Sequence, residues 1–306
     1  MSDNDAPYDV LCYGTISMEN ITRLDHLPNP KRDAVAHAEY NEVGGEALQV
    51  AIPLATWGLR VLVVGNAIGT DWKGRFIMDA LARYPTIDTR YIQQRDDVVT
   101  PFSRILVTPD GERSRITYWY AETPKVELSV EMMRQARVLS VDAYGGGERE
   151  RAAEVARSLN RPVISADAID PRSPLVGLSD AIVISGAWLL VNYPDAFDYD
   201  HALDLQAAGA GVVIVTDGPR PVLVVRADGS PFGVETYQMP RVMDTAGAGN
   251  LFKAGIIYGW LRSDWPLEQK VKFACAAAGL YCCRESGDEP PPTLAEITAL
   301  MRAQPR

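Results

Sequence analysis

The sequence predicts an α/β protein: a doubly wound, mainly parallel sheet with helices on both faces and a small β-sheet lid. Three observations carry this expectation. Short apolar runs alternate with helical patterns through most of the chain. Two segments interrupt that alternation with period-two strands. A glycine-rich turn, "DTAGAGN" over Asp244–Asn250, opens an apolar helix late in the chain.

The runs "YDVLCYG", "RVLVVG", "RVLSVDA", "PVISAD", "AIVIS" and "GVVIVTDG" are nearly continuous in apolar residues, the mark of strands covered on both faces. The longest such segment, "AIVISGAWLLV" over 181–191, is too short to span a bilayer and reads as a buried strand. Helical patterns cover Glu46–Trp57, Trp72–Tyr84, Ser129–Arg137, Arg149–Leu159 and Tyr199–Ala208. Further helices start at Asn250 and Glu268, and a last one covers Leu294–Arg302. Strand–helix alternation of this kind builds a parallel sheet flanked by helices. No repeat, low-complexity tract or linker divides the 306 residues, so a single domain over 1–306 is expected.

Residues 17–43 and 100–120 break the alternation. In "PFSRILVTPDGERSRITYWY" a "PDGE" turn separates two alternating strands, a hairpin signal. Two such excursions are able to pair into a small sheet that covers a site as a lid.

Apolar residues make up 47% and charged residues 23% of the chain, enough for a substantial core. The net charge of −10 argues against a broad nucleic-acid footprint, which needs basic surface, but leaves room for a local anion pocket. The acidic start lacks the apolar run of an export signal. Cys12, Cys275, Cys282 and Cys283 sit in or beside apolar segments without zinc-site spacing, and three histidines form no ligand cluster. A reduced, cytoplasmic protein with no metal held by its side chains is the expectation.

Three glycine-rich stretches differ in what they offer. "GTDWKGRF" has P-loop spacing, but Arg75 and Phe76 stand where Lys and Ser or Thr are needed, so it reads as a structural turn. "GGGERE" lacks the dinucleotide pattern and reads as a loop before a helix. In "DTAGAGN", the small residues Ala246, Gly247, Ala248 and Gly249 let the backbone approach a ligand. Their N–H groups at a helix start suit a phosphate charge.

With these motifs in order, the chain resembles the ribokinase, or PfkB, family of carbohydrate and nucleoside kinases over nearly its whole length. "DTAGAGN" matches the family signature D-T-x-G-A-G-D in all but its last place. "EVGGEALQVAIPLATWG" resembles G-G-N-x-x-N-x-A…L-x-x-L-G, and "VVGNAIGTDWKG" the strand and turn that follow. "ADAIDPR" is similar to D-x-N-x-R, and "VTDGP" to the T-x-G nucleotide-site strand.

The resemblance implies ATP-dependent phosphoryl transfer, with Mg2+, to a hydroxyl of a sugar, polyol or nucleoside, in a homodimer joined through the lid. It maps the anion hole onto Ala246–Gly249 and the catalytic base onto Asn250. Glu19, Gly44, Gly45, Glu46 and Gln49 fall on the substrate side. Thr216, Asp217, Gly218, Asp244, Thr245, Ala276 and Gly279 fall on the nucleotide side.

Departures cluster on polar positions. Glu19 replaces a sugar-binding Asp, Glu46 and Gln49 replace two asparagines, and Pro221 replaces a glycine. Ser185 and Trp188 occupy the places of the magnesium-orienting N-x-x-E; an alternative alignment uses Asn192 and Asp195. Unpaired, the carboxylates of Glu19 and Glu46 would disfavour an acidic substrate. An amide at 250 orients a hydroxyl but cannot take its proton. An introduced Asp→Asn exchange would account for position 250 alone, whereas natural divergence would account for the other departures too. A weak or inactive relative that binds a small molecule for regulation is the alternative reading.

Overall fold

The structure is a computed structural model and describes residues 6–109, 111, 113–195, 198–284 and 289–304. In chain order the first part runs β1 (Tyr8–Gly14), β2 (Ser17–Leu24), β3 (Ala36–Gly44), α1 (Glu46–Thr56), β4 (Val61–Gly65), β5 (Ile68–Gly69), α2 (Trp72–Leu81), β6 (Ile87–Asp88), β7 (Gln94–Arg95), β8 (Phe102–Val107) and β9 (Arg113–Tyr118). The middle runs α3 (Val130–Arg134), β10 (Ala136–Asp142), α4 (Gly147–Ser158), β11 (Val163–Ala166), α5 (Pro174–Leu178), β12 (Ala181–Ser185) and α6 (Gly186–Asn192). The last part is α7 (Asp198–Ala207), β13 (Val212–Thr216), β14 (Val222–Val225), β15 (Pro231–Val234), α8 (Ala248–Trp260), α9 (Leu267–Cys282) and α10 (Leu294–Ala303).

The large sheet has the order β15-β14-β13-β12-β11-β10-β1-β4-β6. Every pair from β13 to β6 is parallel, while β14 and β15 return antiparallel at one edge. Period-two alternation along β1 feeds both faces. Val10 and Cys12 join the core against α1, α8 and α9, and Leu11 and Tyr13 join the core against α4 and α7. Strand β1 is flanked by β10 and β4, so the winding reverses there. Such a switch point opens a crevice at the carboxyl ends of the strands, where α/β proteins bind ligands.

The two excursions pair into one four-stranded sheet, β3-β2-β8-β9. Its central pair, β2 with β8, is parallel and the outer pairs are antiparallel. Of the "PDGE" turn, Asp110 and Glu112 lie outside the described residues.

Three local expectations need correction or completion. The 181–191 run is a strand only to Ser185, where pairing with Thr216 ends. Gly186 then lies against the Thr216 carbonyl, only 3.0 Å from where a Cβ would stand. The chain leaves the sheet as α6, with Leu190 and Val191 61% and 74% exposed; apolar content alone does not separate a short helix from a strand. Helix Ser129–Arg137 shrinks to Val130–Arg134 because Arg137 belongs to β10, held between β1 and β11. The "GTDWKGRF" turn caps α2: the Asp71 carboxylate accepts the Gly74 N–H at 2.9 Å. All four cysteines are free thiols, and burial pushes Cys12 and Cys275 up to about 12. No described helix is long and apolar enough to cross a membrane.

Candidate active site

Gly247 caps α8 with φ 73°, in the left-handed region that glycine enters without strain. A Cβ there would stand 3.3 Å from the Tyr281 hydroxyl. The turn before it is tied down locally. The Asp244 carboxylate accepts the Ala246 N–H at 2.8 Å, and the Thr245 carbonyl accepts the Ala248 N–H at 3.3 Å. Helix α8 has no side-chain cap, so beyond the engaged Ala246 and Ala248 N–H groups the remaining N–H groups of this start keep outward donor capacity, at the positive dipole end of the helix.

From Asn250, in the first turn of α8, a row of side chains runs towards the small sheet. The Asn250 amide donates to the Gln49 carbonyl. The Gln49 amide donates to Glu19 at 3.2 Å, and Arg115 approaches the other Glu19 oxygen at 3.4 Å. Burial pushes the Glu19 carboxyl above its ordinary range, against the pull of Arg115 and Gln49. The glycines make this approach possible. A Cβ on Gly44 would overlap the Glu19 side chain, and one on Gly45, at φ 85°, would lie 2.2 Å from the Thr15 carbonyl. Glu19, Gly44, Gly45, Gln49 and Asn250 therefore form one constellation.

Glu46 goes elsewhere. It pairs with Lys253 at 3.0 Å, and Lys253 also donates to the Val141 carbonyl at 2.6 Å. Lys253 is fully buried. Burial raises the Glu46 carboxyl pKa, Lys253 opposes this, and nearby Asp142 adds to it. At the strand ends alongside, Asp142 binds Arg149 at 3.0 Å, and Asp167 accepts the Ser185 N–H at 3.0 Å and the Tyr144 hydroxyl. Sequence reasoning missed Lys253, Asp142, Arg149 and Tyr144. The one available signal was a lysine inside the otherwise apolar "LFKAGIIYGW".

On the nucleotide side, Thr216 ends β13 with its hydroxyl on the Ile184 carbonyl at 3.2 Å, and Asp217 pairs with Arg220 at 2.9 Å. Gly218, at φ 55°, has open space around it. The Thr236 hydroxyl binds the Pro219 carbonyl at 2.7 Å, and Met239 packs on Gly279. Ala276 is wholly buried in the core, whereas Gly279 is partly exposed beside Met239.

A cavity of about 580 Å³ adjoins the turn, lined by Gln49, Arg83, Asp244, Gly247 and Tyr281 among others. A cleft of about 420 Å³ lies at the β10–β12 ends, lined by Tyr144, Asp167, Trp188 and Asn192 among others. Trp188 meets Tyr144 edge-on, and Asn192 donates to the Trp188 carbonyl. The uncapped helix start and the open Gly218 loop fit the phosphates and body of a nucleotide. No group of three or more acidic, His or Cys side chains among the described residues converges as a metal site. Asp167 and Asp217, among the described residues, are engaged by Tyr144, the Ser185 N–H and Arg220. Mg2+ held by nucleotide phosphates needs few protein ligands.

The switch-point crevice, the four-stranded sheet above it and the glycine-rich helix start define the ribokinase-like class of α/β proteins. The chain belongs to the pfkB family of carbohydrate kinases, whose pattern it matches over residues 8–294. It is 26% identical to a nucleoside kinase of Methanothermobacter thermautotrophicus, covering 97% of this chain and 96% of that protein. It is 27% identical to a 5-dehydro-2-deoxygluconokinase of Listeria monocytogenes, covering 89% and 90%. Arabidopsis thaliana ribokinase, solved with ribose and ATP, superposes with a TM-score of 0.83 at 18% identity, over 96% of this chain and 99% of that one.

Proposed function

We propose that this protein binds ATP at the α8 start and transfers its terminal phosphoryl group to a hydroxyl of a small sugar, polyol or nucleoside, slowly, for want of a base. The observation that carries the reading is the uncapped, glycine-built start of α8, with Asn250 in its first turn and Gln49 and Glu19 beside it. An acceptor hydroxyl held by the Asn250 side chain would attack the terminal phosphorus. The new O–P bond forms as the bond to ADP breaks, and charge on the transferred oxygens falls on the helix-start N–H groups. Asn250 orients the hydroxyl but leaves its proton to solvent, since an amide has no useful basicity. When bound with the nucleotide, Mg2+ would add charge neutralisation.

In the same reading the chain forms one unit over 1–306, with 17–43 and 100–120 as a lid and a second copy docking there, in the cytoplasm. Calorimetric titration with ATP and with ADP tests the proposal. Binding at millimolar concentration or better is expected, and no binding would refute it. The second reading, a binding protein without turnover, draws on one specific observation. Glu46, on the substrate side, is spent on a wholly buried lysine.

A further inference from the structure

We propose that the acceptor molecule carries an anionic group, a carboxylate or a phosphate, and that Arg23 and Arg113 on the underside of the four-stranded sheet receive it. The inference rests on the kinase reading of the site and specifies its substrate class.

Strand register puts the charges on one face. Arg23 pairs across β2–β8 with Val107, and Val107 pairs across β8–β9 with Arg113. One row along the same face, Ile21, Ile105 and Arg115 align, and in the next row Glu19, Ser103 and Thr117. Alternation in a strand sends residues two apart to the same side. The contacts identify that side as the one facing the turn. Arg113 reaches one oxygen of Asp244, and Arg23 lies 3.4 Å from the other. Asp244 also holds the Ala246 N–H. Two guanidinium groups thus converge on one carboxylate at the entrance to the anion-binding turn.

Pairing alters the electrostatics that the two glutamates would otherwise impose on a ligand. Glu46 is engaged by Lys253 and Glu19 by Gln49 and Arg115, and a third carboxylate on this face, Glu42, opposite Glu19 in β3, acts electrostatically on Arg113. An incoming carboxylate or phosphate is able to take the planar fork of Arg113 in a bidentate pair. Asp244 meanwhile keeps Arg23 and the Ala246 N–H, so no buried charge is left alone. A neutral acceptor offers no such exchange and leaves the arginines on Asp244.

The test is calorimetric titration of the full chain with matched pairs: D-gluconate against D-glucitol, and ribose 5-phosphate against ribose. At least one anion should bind about tenfold or more tightly than its neutral counterpart, as expected for charge-assisted hydrogen bonds. Which pair shows it separates carboxylate from phosphate. The preference should weaken with added salt and fall to about threefold or less in Arg113→Met, with ATP affinity kept. Should Arg113→Met fail to fold, Arg23→Met reads the same loss. Absence of a preference in both pairs overturns the proposal, as does an Arg113→Met that weakens ATP and spares the anion. An anion preference without ATP binding would leave this inference standing and remove the kinase reading.

Discussion

The α8 start and the Glu19–Glu46–Gln49 end of the candidate site are made of different material. At Ala246–Gly249 the proposed binding groups are backbone N–H groups, and the sequence requirement is only small residues and one left-handed glycine. At the other end the groups are side chains, and they engage one another. Glu46 is matched by Lys253, Gln49 bridges Glu19 and Asn250, and Arg115 faces Glu19. Backbone-built binding tolerates divergence around it; side-chain binding diverges as a network, because a buried charge without a partner is costly.

The largest expected effect tests that network. Lys253→Met should cost about 3–5 kcal/mol, as expected when one partner of a buried pair is removed, read from urea denaturation. Adding Glu46→Gln should restore more than half of the loss. A single substitution near neutral would show that the pair is not a unit.

Next comes the backbone end. Gly247→Val places a β-branched residue at φ 73° against Tyr281, a strain of about 1–3 kcal/mol. Relief of that strain shifts the turn and misaligns its N–H donors, so ATP affinity should drop by about tenfold or more, about 1.4 kcal/mol being tenfold, with acceptor binding largely kept. Equal loss of both ligands would erase the distinction between the two ends.

The smallest effect is in pH. Burial raises the Glu19 pKa above its ordinary value of 4.5, so the native state holds this proton more tightly than the unfolded chain does. Glu19 therefore contributes stability that is complete below the ordinary value and is lost as pH rises through the raised one. Glu19→Gln should flatten the stability profile between about pH 5 and pH 8, the native form gaining relative to wild type at the higher end. A parallel pair of urea midpoints at the two pH values would contradict this.

The same contrast governs what the sequence disclosed. Apolar runs exposed the parallel sheet, and "DTAGAGN" exposed the helix start, because both depend on residues adjacent in the chain. The "PFSRILVTPDGERSRITYWY" alternation disclosed β8 and β9 but not the face that Arg113 and Arg115 take. That face follows from register with β2, about 90 residues earlier. Likewise Lys253 and Glu46 meet across 207 positions, and Arg23 and Asp244 across 221. The α6 helix was hidden for a local reason, since five apolar residues after Ser185 fit either conformation.

The measurement that bears most directly on the central claim is turnover of Asn250→Asp over a panel of sugars, sugar acids and nucleosides with ATP. The new carboxylate would stand beside the anion-binding turn, able to take the proton from an attacking hydroxyl. Turnover should rise on the order of 10²-fold, the usual contribution of a general base, with ATP affinity almost unchanged because the exchange is near-isosteric. Adding Ser185→Asn and Trp188→Glu should raise it further. No turnover in Asn250→Asp across the panel, with ATP binding intact, would contradict the account and identify the chain as a binding protein.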